Sequence, residues 1–513
     1  MFHASSRLLR GAASVAVAGS ALVASSRGRS RAPARSEAAP APRRLSPIGR
    51  MTRLADAHGT STTIALALAT SGPPLEAATL AAKLAPLVAA QPRLRSLVSA
   101  EATATVLPAA AAADIAASRT HARDWATAGG AHGLAEAALG TPFGTRFAAP
   151  LWDCHVGSPP GGDGSLAVVA LHHSVGDGMS LASVLTGVLD EAADLDALAA
   201  AAVADYHAKR KAKRAARKPL TTREGFLVAL RRLALALAKA LGGAVALAAS
   251  LTKMARVAAA PMPWRRHADA SRVSVGWGVL FDSVAEARAL AKAVDPKATL
   301  NDLFVALVGG ALRRRLLAAG RELPAGYELG CTVPVNVRGG VVLQGEALAN
   351  HIGAINLLLP VGEADPAARL RKTQARLSRW KLAGEHLVSH VLAKLCGALL
   401  PDPLASRALA AGAKGVTVAV SNVRGPPGAV HIDGRKVELA VPLITPPPGV
   451  PLGAIFVTQE DRVVVGATVV GDVGIGADAF VQLLREEKAA LGLVAAGEKK
   501  ATEPARRALV RGG

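Results

Sequence analysis

The chain reads as an α/β protein with room for two domains. Three observations carry that reading. It has 513 residues, enough for two sizeable cores. Short β-prone apolar runs alternate with stripes at helical spacing. Between residues 201 and 270 this pattern gives way to a basic run and a long apolar stretch. The expected organisation is a targeting or disordered segment over 1–44, a first domain over 45–200, a linker and membrane-associating or interdomain helix over 201–270, a second domain over 271–492, and a basic tail over 493–513.

In chain order, the alternation of Ile64, Leu66 and Leu68 predicts a strand, and residues 75–87 a helix. Residues 166–171 are continuously apolar, the mark of a strand covered on both faces. That strand ends in His172, His173, Ser174, Val175, Gly176, Asp177 and Gly178, and Leu181, Val184, Leu185, Val188 and Leu189 then give a helix with Ser180 as its expected cap. Seven cations between residues 209 and 218 mark a linker. Residues 233–251 are apolar except for Lys239 and Ser250, with Arg231, Arg232, Lys253 and Arg256 as flanks. A spanning helix there would bury Lys239 near mid-bilayer at about 2.5–3.5 kcal/mol. A helix lying on a membrane or between domains tolerates both Lys239 and the Gly242-Gly243 pair, and an ordinary core helix is the third reading.

Past residue 271, Val273, Val275 and Trp277 alternate as a strand, and Ser283 with Glu286 forms a capping signal. Asn301 precedes a helical stripe of Leu303, Phe304, Leu307, Val308 and Leu312 and reads as its N-cap. Residues 416–420, 454–457 and 463–470 are further strands, the last two joined by a turn at Glu460, Asp461 and Arg462.

Composition narrows the function. Aromatics make up 3% of residues, so stacking platforms for bases are few. The net charge of +22 calls for anionic partners, but much of it lies in the two ends and the linker, while the motif regions are apolar. A lipid surface or a phosphorylated cofactor-like substrate fits this distribution better than nucleic acid. Cys154, Cys331 and Cys396 are too far apart for a disulfide framework or zinc-ligand spacing. The N-terminus has no acid before Glu37 but carries Arg7, Arg10, Arg27, Arg29, Arg31 and Arg35 among serines. A secretory signal, an organelle transit peptide and plain disorder all fit it.

The chemistry concentrates at the two histidines. Neighbours on a strand point to opposite faces, so His172 and His173 divide into one ring for structure and one for reaction. A neutral imidazole can take a proton from a hydroxyl as its oxygen attacks a carbonyl, worth roughly 10² to 10⁴ in rate. Asp177 sits too close along a tight turn to join that reaction. It is expected to pin the loop through an arginine or backbone donors, with Gly176 and Gly178 supplying dihedrals that other residues resist.

The pattern His172-His173-x-x-x-Asp177-Gly178 resembles the signature of the condensation and acyltransferase superfamily that uses CoA or carrier-protein thioesters. Around it, Leu45-Ser46-Pro47 with Arg50-Met51, Pro150-Leu151-Trp152, Asn301-Asp302, Val333-Pro334-Val335-Asn336-Val337-Arg338 and Ser421-Asn422-Val423-Arg424-Gly425-Pro426 resemble, in order and spacing, motifs of the wax ester synthase/diacylglycerol acyltransferase family. Two positions depart from it: Gly49 stands where the family usually has an acid, and Arg424 where it usually has proline.

The resemblance implies two chloramphenicol-acetyltransferase-like domains, each a mixed sheet flanked by helices, with a substrate tunnel between them. It implies a fatty acyl-CoA entering from one side and a long-chain alcohol or diacylglycerol from the other. His173 would be the general base, His172 a supporting residue, and Asp177 and Gly178 the loop that positions them. Pro150, Leu151, Trp152, Asn301, Asp302, Ser421 and Asn422 would border the channel, and Arg338 is the expected partner of Asp177. No metal and no cofactor beyond acyl-CoA as substrate is expected, nor nucleic acid. The expected location is a membrane or lipid-droplet surface at the endoplasmic reticulum, or a plastid or mitochondrion if the N-terminus is a transit peptide. Ser174 lacks the glycine-flanked elbow of a nucleophile, so direct transfer is expected. The alternatives are a condensation-type enzyme acting on a carrier-bound thioester and a non-catalytic lipid-binding protein.

Overall fold

The computed structural model describes residues 42–56, 62–215, 222–259, 272–338 and 348–511. The arginine-rich N-terminal segment lies outside them. Two six-stranded mixed sheets organise the chain. In the first, the spatial order is His431–Ile432, Arg435–Ile444, Thr63–Thr70, Ser165–His172, Trp152–Gly157 and Thr120–Ala122. Its neighbours are antiparallel except the last pair. In the second, the order is Ile352–Leu359, Leu329–Asn336, Val416–Arg424, Leu452–Gln459, Arg462–Val470 and Val273–Phe281. Val416–Arg424 runs parallel to both neighbours.

Ser165–His172 lies inside the first sheet, and every residue of it is buried. Ala65 pairs with Ala170, and Ala67 with Val168, so small side chains line one face of this part of the sheet. Aromatics are few but central: Trp152 and Phe143 lie in the first core, and Phe304 stacks on Phe456 in the second at 4.4 Å.

Arg435–Ile444 belongs by sequence to the second half, yet it pairs antiparallel with Thr63–Thr70 of the first sheet. A boundary at residue 271 therefore does not separate the two sheets. Between its terminal threonines Thr63–Thr70 is apolar, and Arg435–Ile444 covers an edge of it that would otherwise be open. Arg462–Val470 of the second sheet passes close behind it. A Cβ at Gly466 would come within 2.2 Å of the Pro442 carbonyl oxygen, so only glycine fits that approach.

Several local expectations are revised. Asp177, not Ser180, caps helix Gly178–Thr186, because its carboxylate accepts from the Ser180 N–H at 3.0 Å. Thr299, not Asn301, caps helix Leu300–Ala318, with Asp302 closing the capping box. The supposed linker is helical as far as residue 215, within helix Ala192–Ala215, and residues 216–221 lie outside the description. The apolar segment belongs to a longer helix, Thr222–Ala259. Residues 226–241 of it are almost all exposed, whereas Gly243, Ala246, Leu247, Ser250 and Met254 form a buried stripe at helical spacing. By length and composition Phe226–Val257 could cross a membrane, with 22% of its most apolar stretch buried in the protein. The basic tail continues helix Ala477–Arg511.

Candidate active site

The site begins where the ladder of strand Ser165–His172 runs out. His172 is the last paired residue, opposite Thr63, and its N–H donates to the Leu151 carbonyl at 2.9 Å. The next N–H, of His173, donates to Thr62 at 2.8 Å, and Val175 then turns back onto the His172 carbonyl at 2.9 Å. The turn thus starts with the two rings on opposite sides of the chain.

His172 is fully buried and has both ring nitrogens engaged. Nδ1 accepts from the Ser174 N–H at 3.2 Å and lies 2.7 Å from the Ser174 hydroxyl. A main-chain N–H can only donate, so Nδ1 is the acceptor and Nε2 carries the proton, which it donates to Asp56 Oδ1 at 3.1 Å. Arg53 holds the other oxygen of Asp56 at 3.2 Å. This ring is a structural strut. Asp56 escaped the sequence reading; its only signal there was an Arg-Asp pair at i, i+3 on the first helix. Gly49, on the same helix Pro47–Ala55, approaches the turn closely: a Cβ there would lie 3.0 Å from the Ser174 carbonyl oxygen. A side chain at position 49 would therefore crowd the turn, and Asp56 is the carboxylate that meets the motif from this end of the helix.

Asp177 is 1% exposed and accepts three hydrogen bonds. Oδ1 takes the Ser180 N–H at 3.0 Å; Oδ2 takes Arg338 Nη1 at 2.7 Å and the His351 N–H at 2.9 Å. Arg338 also donates to Ser180 Oγ at 3.0 Å and to the Ala349 carbonyl at 2.7 Å. Burial opposes the charge on Asp177, but Arg338 and the two backbone donors together outweigh it and hold the carboxyl below the usual carboxylate range. The Asp177–Arg338 pair thus links the two halves of the chain. Neither Gly176 nor Gly178 has a positive φ, so the dihedral argument for them fails. Gly176 sits in tight space, since a Cβ would meet that of Ser180 at 3.0 Å, whereas nothing lies within 4 Å of one at Gly178.

His173 is the ring left for chemistry. It is 9% exposed, and its Nδ1 is buried with no hydrogen-bond partner among the described residues. Burial pushes its pKa below the ordinary histidine value, while the charge of Asp177 pulls the other way. The ring is therefore neutral at pH 7, as a general base must be. Arg93 steadies the same turn from the first domain by donating to the Val175 carbonyl at 3.0 Å.

The remaining motif residues divide. Leu151 and Trp152 lie in the first core, with Trp152 Nε1 donating to the Leu94 carbonyl at 2.7 Å, and Pro150 is buried beside them. Their link to the site is the main-chain bond from His172. Asn301 and Asn422 are brought together, Nδ2 of Asn422 donating to Oδ1 of Asn301 at 2.8 Å. Asp302 is buried in its helix cap, and Ser421 is half-buried on strand Val416–Arg424. Arg424 ends that strand paired with Thr458, so the position expected to hold proline is here part of a ladder.

Comparison with known proteins adds independent findings. Residues 348–491 match the model of the WS/DGAT C-terminal domain. A Mycobacterium tuberculosis protein that carries the name diacylglycerol O-acyltransferase is 27% identical over 335 residues, 62% of this chain and 63% of that protein. A second from the same species is 26% identical over 300 residues, 56% of this chain and 60% of its own length. The chain thus spans less than two thirds of these relatives. Among solved structures, the wax ester synthase/diacylglycerol acyltransferase from Marinobacter aquaeolei superposes with a TM-score of 0.55 at 17% identity, over 88% of this chain and 100% of that one. The first condensation domain of the calcium-dependent antibiotic synthetase gives 0.53 at 16% identity, over 90% and 97%. At such identities these two show the fold alone, the two-domain acetyltransferase-like architecture. Taken with the domain match and the mycobacterial relatives, they show a chain that is similar to wax ester synthase/diacylglycerol acyltransferases, with the match to that family's model lying in residues 348–491.

Proposed function

We propose that the protein is an O-acyltransferase that moves a fatty acyl group from acyl-CoA to a long-chain alcohol or a diacylglycerol, forming wax ester or triacylglycerol. The observation that carries this reading is His173: a neutral ring at the mouth of a turn locked by Asp177, Arg338 and Asp56. The acceptor hydroxyl gives its proton to His173 as its oxygen bonds to the thioester carbon. The tetrahedral intermediate then collapses, the carbon–sulfur bond breaks, and the imidazolium returns its proton to the departing thiolate. Free CoA and neutral imidazole result. Ser174 takes no part, because its hydroxyl lies on His172 Nδ1 rather than on His173. No metal or further cofactor enters this scheme.

The test is to supply the purified full chain with palmitoyl-CoA and either hexadecanol or dioleoylglycerol. Wax ester or triacylglycerol should appear with one free CoA per ester, identified by mass spectrometry. Hydrolysis alone, or no turnover with either acceptor, rejects the reading. A trapped acyl group on Ser174 would replace direct transfer with an acyl-enzyme.

The substrates are lipids, so the reading includes work at a membrane surface, at the endoplasmic reticulum or in an organelle reached through the N-terminal segment. Two adjacent features support it. Helix Thr222–Ala259 exposes Phe226, Leu230, Leu233 and Leu237, and helix Glu385–Leu399, which packs on it, exposes Leu387, Val391, Leu395 and Leu399 at four-residue spacing. Each cation of the 209–218 run is worth about 1 kcal/mol beside an anionic bilayer. Neutralising the run should release the protein from phosphatidylserine liposomes in a flotation assay. Binding that survives neutralisation, high salt and carbonate would mean a spanning helix.

A further inference from the structure

We propose that Asn350 is a positioning residue for His173, holding the Nδ1 side of the ring so that Nε2 is the nitrogen offered to the acceptor hydroxyl. The inference rests on the acyltransfer reading for its kinetics but on geometry for its content. Asn350 is 5% exposed and comes from the second half of the chain, just before strand Ile352–Leu359. Its Nδ2 donates to the His173 carbonyl at 2.9 Å. That carbonyl can only accept, so the orientation of the amide follows: Oδ1 is the other arm.

Oδ1 of Asn350 is buried with no hydrogen-bond partner among the described residues, and Nδ1 of His173 is in the same state. A buried donor or acceptor left unmade costs about 1–3 kcal/mol. Two such atoms on residues already joined through one carbonyl call for each other. With the proton on Nδ1, the ring can share it between Asn350 Oδ1 and its own carbonyl, which Asn350 fixes. Both oxygens favour the charged ring, as the direction of their influence on His173 indicates. The proton accepted at Nε2 is then stabilised from the far side of the imidazole.

The residues flanking Asn350 explain its precision. The Ala349 carbonyl accepts from Arg338 Nη2 and from the Asp177 N–H at 3.2 Å, and the His351 N–H is bound by Asp177. Asn350 is thus clamped on both sides to the turn that it serves. The other charged or titratable groups facing His173 are Asp177 and His172, with Arg338 and Arg93 behind Asp177.

Two measurements test this. First, Asn350→Ala should lower kcat on the order of 10²-fold, as small misplacements do, with KM for palmitoyl-CoA nearly unchanged. The acid limb of kcat/KM should move to lower pH, because a group favouring the charged ring has gone. Asn350→Asp should move it to higher pH, because a carboxylate favours the charged ring more. A merely packing role would lower the melting temperature and leave both limbs in place, and that result in folded variants overturns the proposal. Second, ¹⁵N-histidine spectra of the wild-type chain, with His173 identified by difference against His173→Gln, should show the neutral ring protonated at Nδ1. Protonation at Nε2 overturns the proposal even if no Asn350 variant folds. A wild-type chain that forms no ester removes the acyltransfer reading but leaves this second measurement decisive for Asn350.

Discussion

His173→Ala is expected to abolish ester synthesis in a protein that still folds. The loss should be at least about 10² in turnover, the low end of what a general base contributes. The fold should survive because the main-chain bonds to Thr62 and from Asn350 do not need the side chain. In the wild type, burial depresses the His173 pKa, so the acid limb of kcat/KM should lie below the ordinary histidine value of about 6.5. Ser174→Ala should change turnover little, since the Ser174 N–H still supports His172. His172→Ala should act through disorder of the turn, because it removes the ring that joins Ser174 to Asp56 Oδ1. A folded His173→Ala enzyme with near-normal activity on either acceptor would end the proposed mechanism.

Asp177→Asn should lose stability and activity together. The substitution keeps the shape of the side chain but leaves Arg338 beside an uncharged partner, and breaking such a buried pair costs about 3 kcal/mol. Because the folded-state pKa of Asp177 is depressed, its stabilisation is complete above the unfolded value of about 3.9 and fades as pH falls through the folded value. Wild type and mutant should therefore differ fully in denaturant melts at pH 7 and converge only in strong acid. Arg338→Met should cost as much or more, since Arg338 also holds Ser180 and Ala349. The double mutant should recover part of the sum; full additivity would mean that the pair carries no coupling. An Asp177→Asn chain with normal stability but a shifted pH profile would move Asp177 into the proton transfer itself.

Where the sequence was readable, local pattern and tertiary demand agreed. The run from Leu166 to Leu171 is apolar at every position because both faces are covered, and this is visible without coordinates. The pairing of Asp177 with Arg338 followed from the need of a carboxylate in a tight turn for a cation, together with the family motif. Asp56 and Asn350 were not visible, since each is a lone polar residue whose partner is more than a hundred positions away. Caps were misplaced by two or three residues: Ser180, Asn301, Asp177 and Thr299 are all capable caps, and only the geometry of the first turn chooses among them. The crossing of Arg435–Ile444 into the first sheet was hidden for a related reason. Nothing in the pattern of 435–444 says which sheet it will join.

That strand also has a consequence for how the protein is made. Ser71 and Glu438, hydrogen-bonded across the junction of the two strands, are 367 positions apart. At a synthesis rate of about 5–20 residues per second, the first half waits roughly 20 to 70 s for its last strand. During that interval Thr63–Thr70 presents an apolar, unpaired edge, and until residue 350 has been made the turn carrying His173 lacks Arg338, Asn350 or both. The amino-terminal half therefore cannot complete its own sheet, and a separately expressed 42–215 fragment should expose this edge and leave the His173 turn without its partners from the second half.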